Sequence, residues 1–243
     1  MRITFDATDR VLVVTGGASG IGAALAAAFA AAGGRSVVLD VAAPEHPVPQ
    51  GVEALRVDIA DRHAVIQAVE TTIARHGRID GLLAGAAIQP RVPVLRMDPD
   101  LWRRAIEVNL NGVVWACQAV IPHMVARRHG AVVVFASGLA RVGHPEASAY
   151  AASKAALVAF AKSLAGEVAD DRVRVNILFP GVIDTPQMRA ANPPGPEYEH
   201  WLRTTGVGTP DDVVGPLMFL MSDAATMTGS VLTRDRVYRR DEG

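Results

Sequence analysis

Short apolar runs alternate along this chain with longer stretches whose apolar positions recur every three or four residues. The runs cover 11–15, 36–40, 53–57, 81–85, 131–136, 174–179 and 230–232. They are rich in valine and leucine and mostly do not alternate with polar residues, as befits strands buried on both faces. The stretches between them predict helices over about 20–32, 62–76, 99–128, 149–169 and 211–221. Asp61 and Asp98 or Asp100 read as N-caps, Gly77 and Gly130 as helix stops. Strand, crossover helix and strand in repetition predict an α/β fold: a doubly wound, seven-stranded parallel sheet with helices on both faces.

One segment breaks the rhythm. Over 186–208 no strand is predicted, and Pro193-Pro194-Gly195-Pro196 interrupts any helix. A long loop carrying Tyr198 and Trp201 reads as a substrate-binding lid within a single domain spanning 1–243. At 243 residues one domain is the natural expectation. The formal net charge of −1 argues against nucleic acid or a membrane surface as partner. Cys117 is the single cysteine, which excludes an internal disulfide and suits a reducing cytoplasm. Its apolar surroundings read as an inert core thiol. The first residues, Met1-Arg2-Ile3-Thr4-Phe5-Asp6, lack the basic and apolar regions of a secretion leader. A cytoplasmic protein is expected. No His/Cys cluster has metal-ligand spacing, so no metal is expected.

The chemistry begins with a scarce pair. The chain has two lysines and three tyrosines, and Lys154 follows Tyr150 by four residues. On a helix those positions share a face. A cation beside a phenol favours the phenolate and lowers its pKa, so Tyr150 is expected to serve as a general acid/base.

The first strand runs into Thr15-Gly16-Gly17-Ala18-Ser19-Gly20-Ile21-Gly22 and then an alanine-rich helix. Such a turn lets backbone approach a pyrophosphate held at the helix N-terminus, the mark of a Rossmann-type nucleotide site. The second strand ends in Asp40, placed to accept hydrogen bonds from the adenosine ribose hydroxyls. Its charge would repel the extra phosphate of NADP, and neither Gly17 nor Val41 offers a compensating cation. NAD is the expected cofactor.

With these residues on view, nearly the whole chain resembles the short-chain dehydrogenase/reductase family, of classical type. The matching features are the Thr15 to Gly22 spacing, Asp58 in Val57-Asp58-Ile59, Asn109 in Val108-Asn109-Leu110-Asn111-Gly112, Ser137 thirteen residues before Tyr150, and Pro180-Gly181-Val182-Ile183-Asp184-Thr185. The resemblance implies a catalytic set of Asn109, Ser137, Tyr150 and Lys154. Tyr150 would move the proton, Ser137 would hold the substrate oxygen, Lys154 would grip the nicotinamide ribose, and Asn109 would hold a relay water. The cofactor would touch Thr15, Gly16, Ser19, Gly20, Ile21, Gly22, Asp40, Asp58, Ile59, Ala84, Gly85, Ala86, Pro180, Gly181, Ile183 and Thr185, besides Tyr150 and Lys154. The substrate would meet Gln89, Ser137, Leu139, His144, Tyr150, Val182 and Met188, with Arg91 and Trp201 nearby.

Two segments depart from that pattern. Leu83-Ala84-Gly85-Ala86-Ala87 stands where the family usually has Asn-Asn-Ala-Gly, and Thr233 to Arg240 replaces an Asp-Gly-Gly turn. The arginines of the second segment read as a solvated tail, with a partner site as the alternative. The expected activity is hydride transfer between NAD and a secondary alcohol or ketone, with a polyol, sugar or cyclic alcohol as substrate. One rival is an NADPH-dependent 3-oxoacyl-carrier-protein reductase, and another is a non-catalytic NAD-binding sensor or scaffold. Relatives imply a homotetramer or dimer.

Overall fold

The structure is a computed structural model that describes residues 3–236. Its centre is a parallel sheet of seven strands: β1 Val11–Thr15, β2 Arg35–Asp40, β3 Val52–Arg56, β4 Gly81–Ala84, β5 Gly130–Phe135, β6 Val173–Phe179 and β7 Val231–Thr233. Their order is β3-β2-β1-β4-β5-β6-β7. Successive strands therefore run outward from β1 in one direction, and the chain then returns to build the other side from β4. A crevice opens at that reversal, beyond the C-terminal strand ends.

Burial on both faces explains the unbroken apolar runs. In β1, Val11 and Val13 enter one core, whereas Leu12 and Val14 enter the core on the opposite face. Leu12, Val13 and Val14 are fully buried; each such side chain contributes roughly 1.5–3 kcal/mol.

The helices are α1 Gly20–Ala31, α2 Arg62–His76, α3 Pro99–Ile106, α4 Gly112–Arg127, α5 Leu139–Val142, α6 Ser148–Val168, α7 Pro186–Ala191, α8 Pro196–Thr204 and α9 Asp211–Met221. Asp61 and Asp98 cap α2 and α3 as expected, each accepting from two backbone N–H groups. Gly77 ends α2 in the left-handed region, with φ of 73°.

Three expectations are corrected. The helix foreseen over 99–128 is two helices joined by a five-residue π turn, Glu107–Asn111. It stops at Arg128, which takes the left-handed conformation, while Gly130 already belongs to β5. The lid segment is not an irregular loop but the helices α7 and α8. Thr185 caps α7, and Pro186 and Pro196 occupy first-turn positions, where the missing N–H costs nothing. The diproline separates the two helices instead of abolishing them.

The C-terminal arginines divide. The Arg234 side chain pairs with Asp212 at 3.3 Å, and its main-chain N–H bonds Phe179 at 3.0 Å. It is anchored, contrary to the solvated-tail reading. Arg239 and Arg240 lie outside the described residues, as do Met1 and Arg2.

Candidate active site

The nucleotide turn is built from backbone. Thr15 is buried, and its hydroxyl accepts from the N–H groups of Gly85 and Ala86 at 3.1 and 3.3 Å. One side chain thus ties the exit of β4 to β1, in the segment where the family's asparagines are missing. Gly16 has φ of 73°, and a Cβ there would lie 2.6 Å from Ala86 Cα. A Cβ on Gly22 would come within 2.4 Å of the Gly16 carbonyl oxygen. Beyond the turn, α1 starts at Gly20 without a side-chain cap and with no acidic residue in its first turn. Its free N–H groups and dipole are left for an anion. This cradle fits a dinucleotide pyrophosphate.

Asp40 is fixed at the end of β2, accepting from Ala18 N–H and Ala42 N–H, each at 3.0 Å. The connection 41–51 contains no lysine or arginine. Asp58 accepts from Ala60 N–H at 3.0 Å and pairs with Arg104 at 2.8 Å. Ile59 and Ala84 are buried, and neither borders the cavity that adjoins the turn.

Next to the turn lies a cavity of about 560 Å3. Gly16, Ser19, Gly20, Ile21, Gly22 and Gly85 form one wall, and Pro180, Gly181, Ile183 and Thr185 another. Ser137, Tyr150 and Lys154 line it between these walls. Ser137 follows β5, whereas Tyr150 and Lys154 lie on α6, as their spacing predicts. Gln89, Leu139, Val182, Met188 and Trp201 also border the space.

Lys154 is 2% exposed. Its Nζ donates to the Phe135 carbonyl at 2.9 Å and lies 5.8 Å from the Tyr150 ring centre. Burial lowers its pKa to about 8. For Tyr150 burial is also the larger effect and raises the pKa, while a hydrogen bond with Ser137 works the other way. The expectation that Lys154 lowers the tyrosine pKa is therefore not met in this arrangement. Its ammonium is directed at a carbonyl, and desolvation outweighs what remains. Cys117 is a buried thiol pushed up to about 12, unfit as a nucleophile.

Asn109 stands behind the cavity, fully buried in the π turn. Its Oδ1 accepts from Ile88 N–H at 2.7 Å, and its Nδ2 donates to Ile88 O at 2.8 Å and Ser153 Oγ at 3.1 Å. Both amide N–H groups are spent on holding the β4–α3 connection against α6.

Residues 10–195 match the short chain dehydrogenase family. The chain belongs to that family. Short chain dehydrogenases are oxidoreductases that use a nicotinamide cofactor and act on CH–OH groups. This one is 33% identical over 252 residues to a probable galactose dehydrogenase of Rhizobium meliloti, covering 95% of each chain. It is 36% identical over 242 residues to the cis-4-hydroxycyclohexanecarboxylate dehydrogenase of Sinomonas cyclohexanicum, covering 95% of this chain and 96% of that one. The crystal structure of levodione reductase superposes with a TM-score of 0.87 at 28% identity, over 94% of this chain and 97% of the other.

The rest of this short chain dehydrogenase's cavity was not legible in the sequence. His144 does not border it. Its Nε2 lies 2.6 Å from Glu197 on α8, and Arg91 reaches the same carboxylate at 3.0 Å. Arg91 and His144 thus hold α8 through Glu197 and are not free to meet a substrate. The residues that take their place are Arg141, Gln187, Asn192 and Arg234. Among the described residues no group of three His, Cys, Asp or Glu could hold a metal, and no helix is long and apolar enough to cross a membrane.

Proposed function

We propose that this chain is an NAD-dependent dehydrogenase that interconverts a secondary alcohol and a ketone. The observation that carries the reading is the meeting of Ser137, Tyr150 and Lys154 on one cavity with the glycine turn. A dinucleotide with its pyrophosphate in the glycine turn and its nicotinamide beside Ser137, Tyr150 and Lys154 would supply or take up the hydride. Tyr150 takes the hydroxyl proton during oxidation and returns it during reduction. Ser137 donates to the same oxygen and stabilises the charge that develops there. Lys154 holds the nicotinamide ribose and passes the proton onward. Asn109 contributes to that relay through its main chain, because its amide donors are occupied.

NAD is favoured over NADP by the fixed Asp40 carboxylate and the absence of lysine and arginine in 41–51. A ribose phosphate would face that anion with no lysine or arginine in 41–51 to neutralise it. Gly17 leaves no space for a compensating arginine, since even a Cβ there would lie 2.9 Å from Val38. The same observations weigh against a 3-oxoacyl-carrier-protein reductase that runs on NADPH. Residues 186–208 act as the lid of a one-domain enzyme that assembles as a tetramer or dimer in the cytoplasm. The substrate is a polyol, sugar or cyclic alcohol.

The test is NADH formation across polyols, sugars and cyclic secondary alcohols, with NAD and NADP in parallel and Tyr150→Phe as control. Turnover with NAD that vanishes in the variant is expected. Tight NAD binding with no turnover on any alcohol would favour the sensor reading, and preference for NADP would overturn the role given to Asp40.

A further inference from the structure

We infer that Arg141 is a specificity-determining residue that receives a carboxylate, and that the alcohol this enzyme takes is a hydroxy acid. The inference rests on the dehydrogenase reading above and narrows its substrate.

Arg141 lies on α5, the single turn that follows Ser137. Ala140 N–H bonds Ser137 O at 2.9 Å and Arg141 N–H bonds Gly138 O at 3.0 Å, so a tight turn sets Arg141 close behind Ser137. Both line the cavity that contains Tyr150. The guanidinium carbon lies 4.4 Å from the centre of the Phe179 ring. Phe179 is buried at the end of β6, the strand beside β5, and immediately precedes Pro180 and Gly181 of the cavity lining. The guanidinium thus rests at the ends of the two neighbouring strands, β5 and β6. Stacking on a ring engages the face of a guanidinium and leaves its N–H edge free for a planar, two-pronged acceptor.

The other cations of the cavity are already committed. Lys154 donates to Phe135 O, and Arg234 pairs with Asp212. Arg91, at the lid, pairs with Glu197. Among the described residues Arg141 has neither an ion-pair partner nor a side-chain hydrogen bond. One carboxylate, Asp235, borders the same cavity, and it accepts from Thr233 at 3.3 Å. Beside Ser137 the cavity rim therefore carries an exposed guanidinium that rests on an aromatic ring and has no carboxylate partner among the described residues. A neutral polyol makes no use of that charge, whereas a carboxylate matches it in sign and shape.

The test is calorimetric titration of the NADH-bound enzyme with cyclohexanecarboxylate and with its neutral isostere, cyclohexanecarboxamide, repeated with gluconate against gluconamide. At least one acid is expected to bind roughly 10- to 100-fold tighter than its amide, the range of a charge-assisted hydrogen bond. Arg141→Gln should reduce that ratio to near one without changing amide or NADH affinity, and Arg141→Lys should restore part of it. Equal binding of acid and amide in both pairs would overturn the proposal. So would a preference that survives Arg141→Gln, or a parallel loss of NADH affinity, which would place the arginine on the cofactor. Turnover of 4-hydroxycyclohexanecarboxylate is measured alongside. An Arg141-dependent acid preference without turnover of any alcohol sinks the dehydrogenase reading and leaves the anion site standing.

Discussion

The two halves of the cavity are made of different material. At the nucleotide end the contacts are backbone against backbone: Gly16 against Ala86, Gly22 against the Gly16 carbonyl. At the lid end they are side chain against side chain: Arg91 and His144 on Glu197, Arg234 on Asp212, Arg141 on Phe179. A backbone-built surface has no side chain to exchange, so it suits a ligand part that never changes. A side-chain-built wall can be rewritten by single substitutions, so it suits the part that differs between relatives. If the division holds, pyrophosphate binding and substrate choice should respond to separate substitutions.

The sharpest way to break that division is at the residues between the halves. Tyr150→Phe should lower kcat by about 10^2- to 10^4-fold, the usual worth of a positioned acid/base, while leaving the Kd for NADH unchanged. Stopped-flow hydride transfer checks the first and fluorescence titration the second. Equal losses in both would mean that the phenol serves binding.

Next in size is Gly22→Ala. Its Cβ would meet a carbonyl oxygen at 2.4 Å, so the turn must open. At about 2 kcal/mol of strain the Kd for NADH should rise by roughly 30-fold, as read by titration. Carboxylate-to-amide selectivity should not move.

Lys154→Met tests the cost of the buried ammonium. The native pKa of about 8 is below the ordinary lysine value, so between roughly pH 8 and 10.5 the unfolded chain binds the proton that the native chain has lost. Stability of the wild type therefore rises with pH across that window. At pH 7 both states are charged and the burial penalty is present in full. The variant should be the more stable apo protein at pH 7, by on the order of 1–3 kcal/mol. That gap should narrow by pH 9.5 in thermal unfolding. A gap independent of pH would show that the lysine folds without a penalty.

The smallest effect is expected from Glu197→Gln, which removes the carboxylate shared by Arg91 and His144. Substrate KM should rise about threefold to tenfold, within the range of partly exposed ion pairs, with NADH affinity unaltered. A fall in NADH affinity would show that the lid also grips the cofactor.

What could be read in advance follows the same division. The glycine turn, Asp40 and the Tyr150–Lys154 pair declare themselves because their meaning depends on spacing within one strand, turn or helix. Arg91 and Glu197 are 106 residues apart, and nothing local marks them as partners. Pro193-Pro194-Gly195-Pro196 reads as a helix breaker, although Thr185-Pro186 before it is the start signal of a helix. That signal was present and outvoted by the diproline. Arg141 gave no sign at all, because its meaning comes from a ring on another strand.

The π turn at 107–111 has a consequence for insertions and deletions. It fits one residue more than a regular helix would, and that surplus helps aim Asn109 at Ile88. Deleting a single residue there would allow one continuous regular helix through α3 and α4. The flanking helices would keep nearly the same relative rotation, since the wider turn had absorbed the extra residue, and the aim of Asn109 is what would change. The chain would gain a better helix and lose the pin that sets the floor of its own cavity.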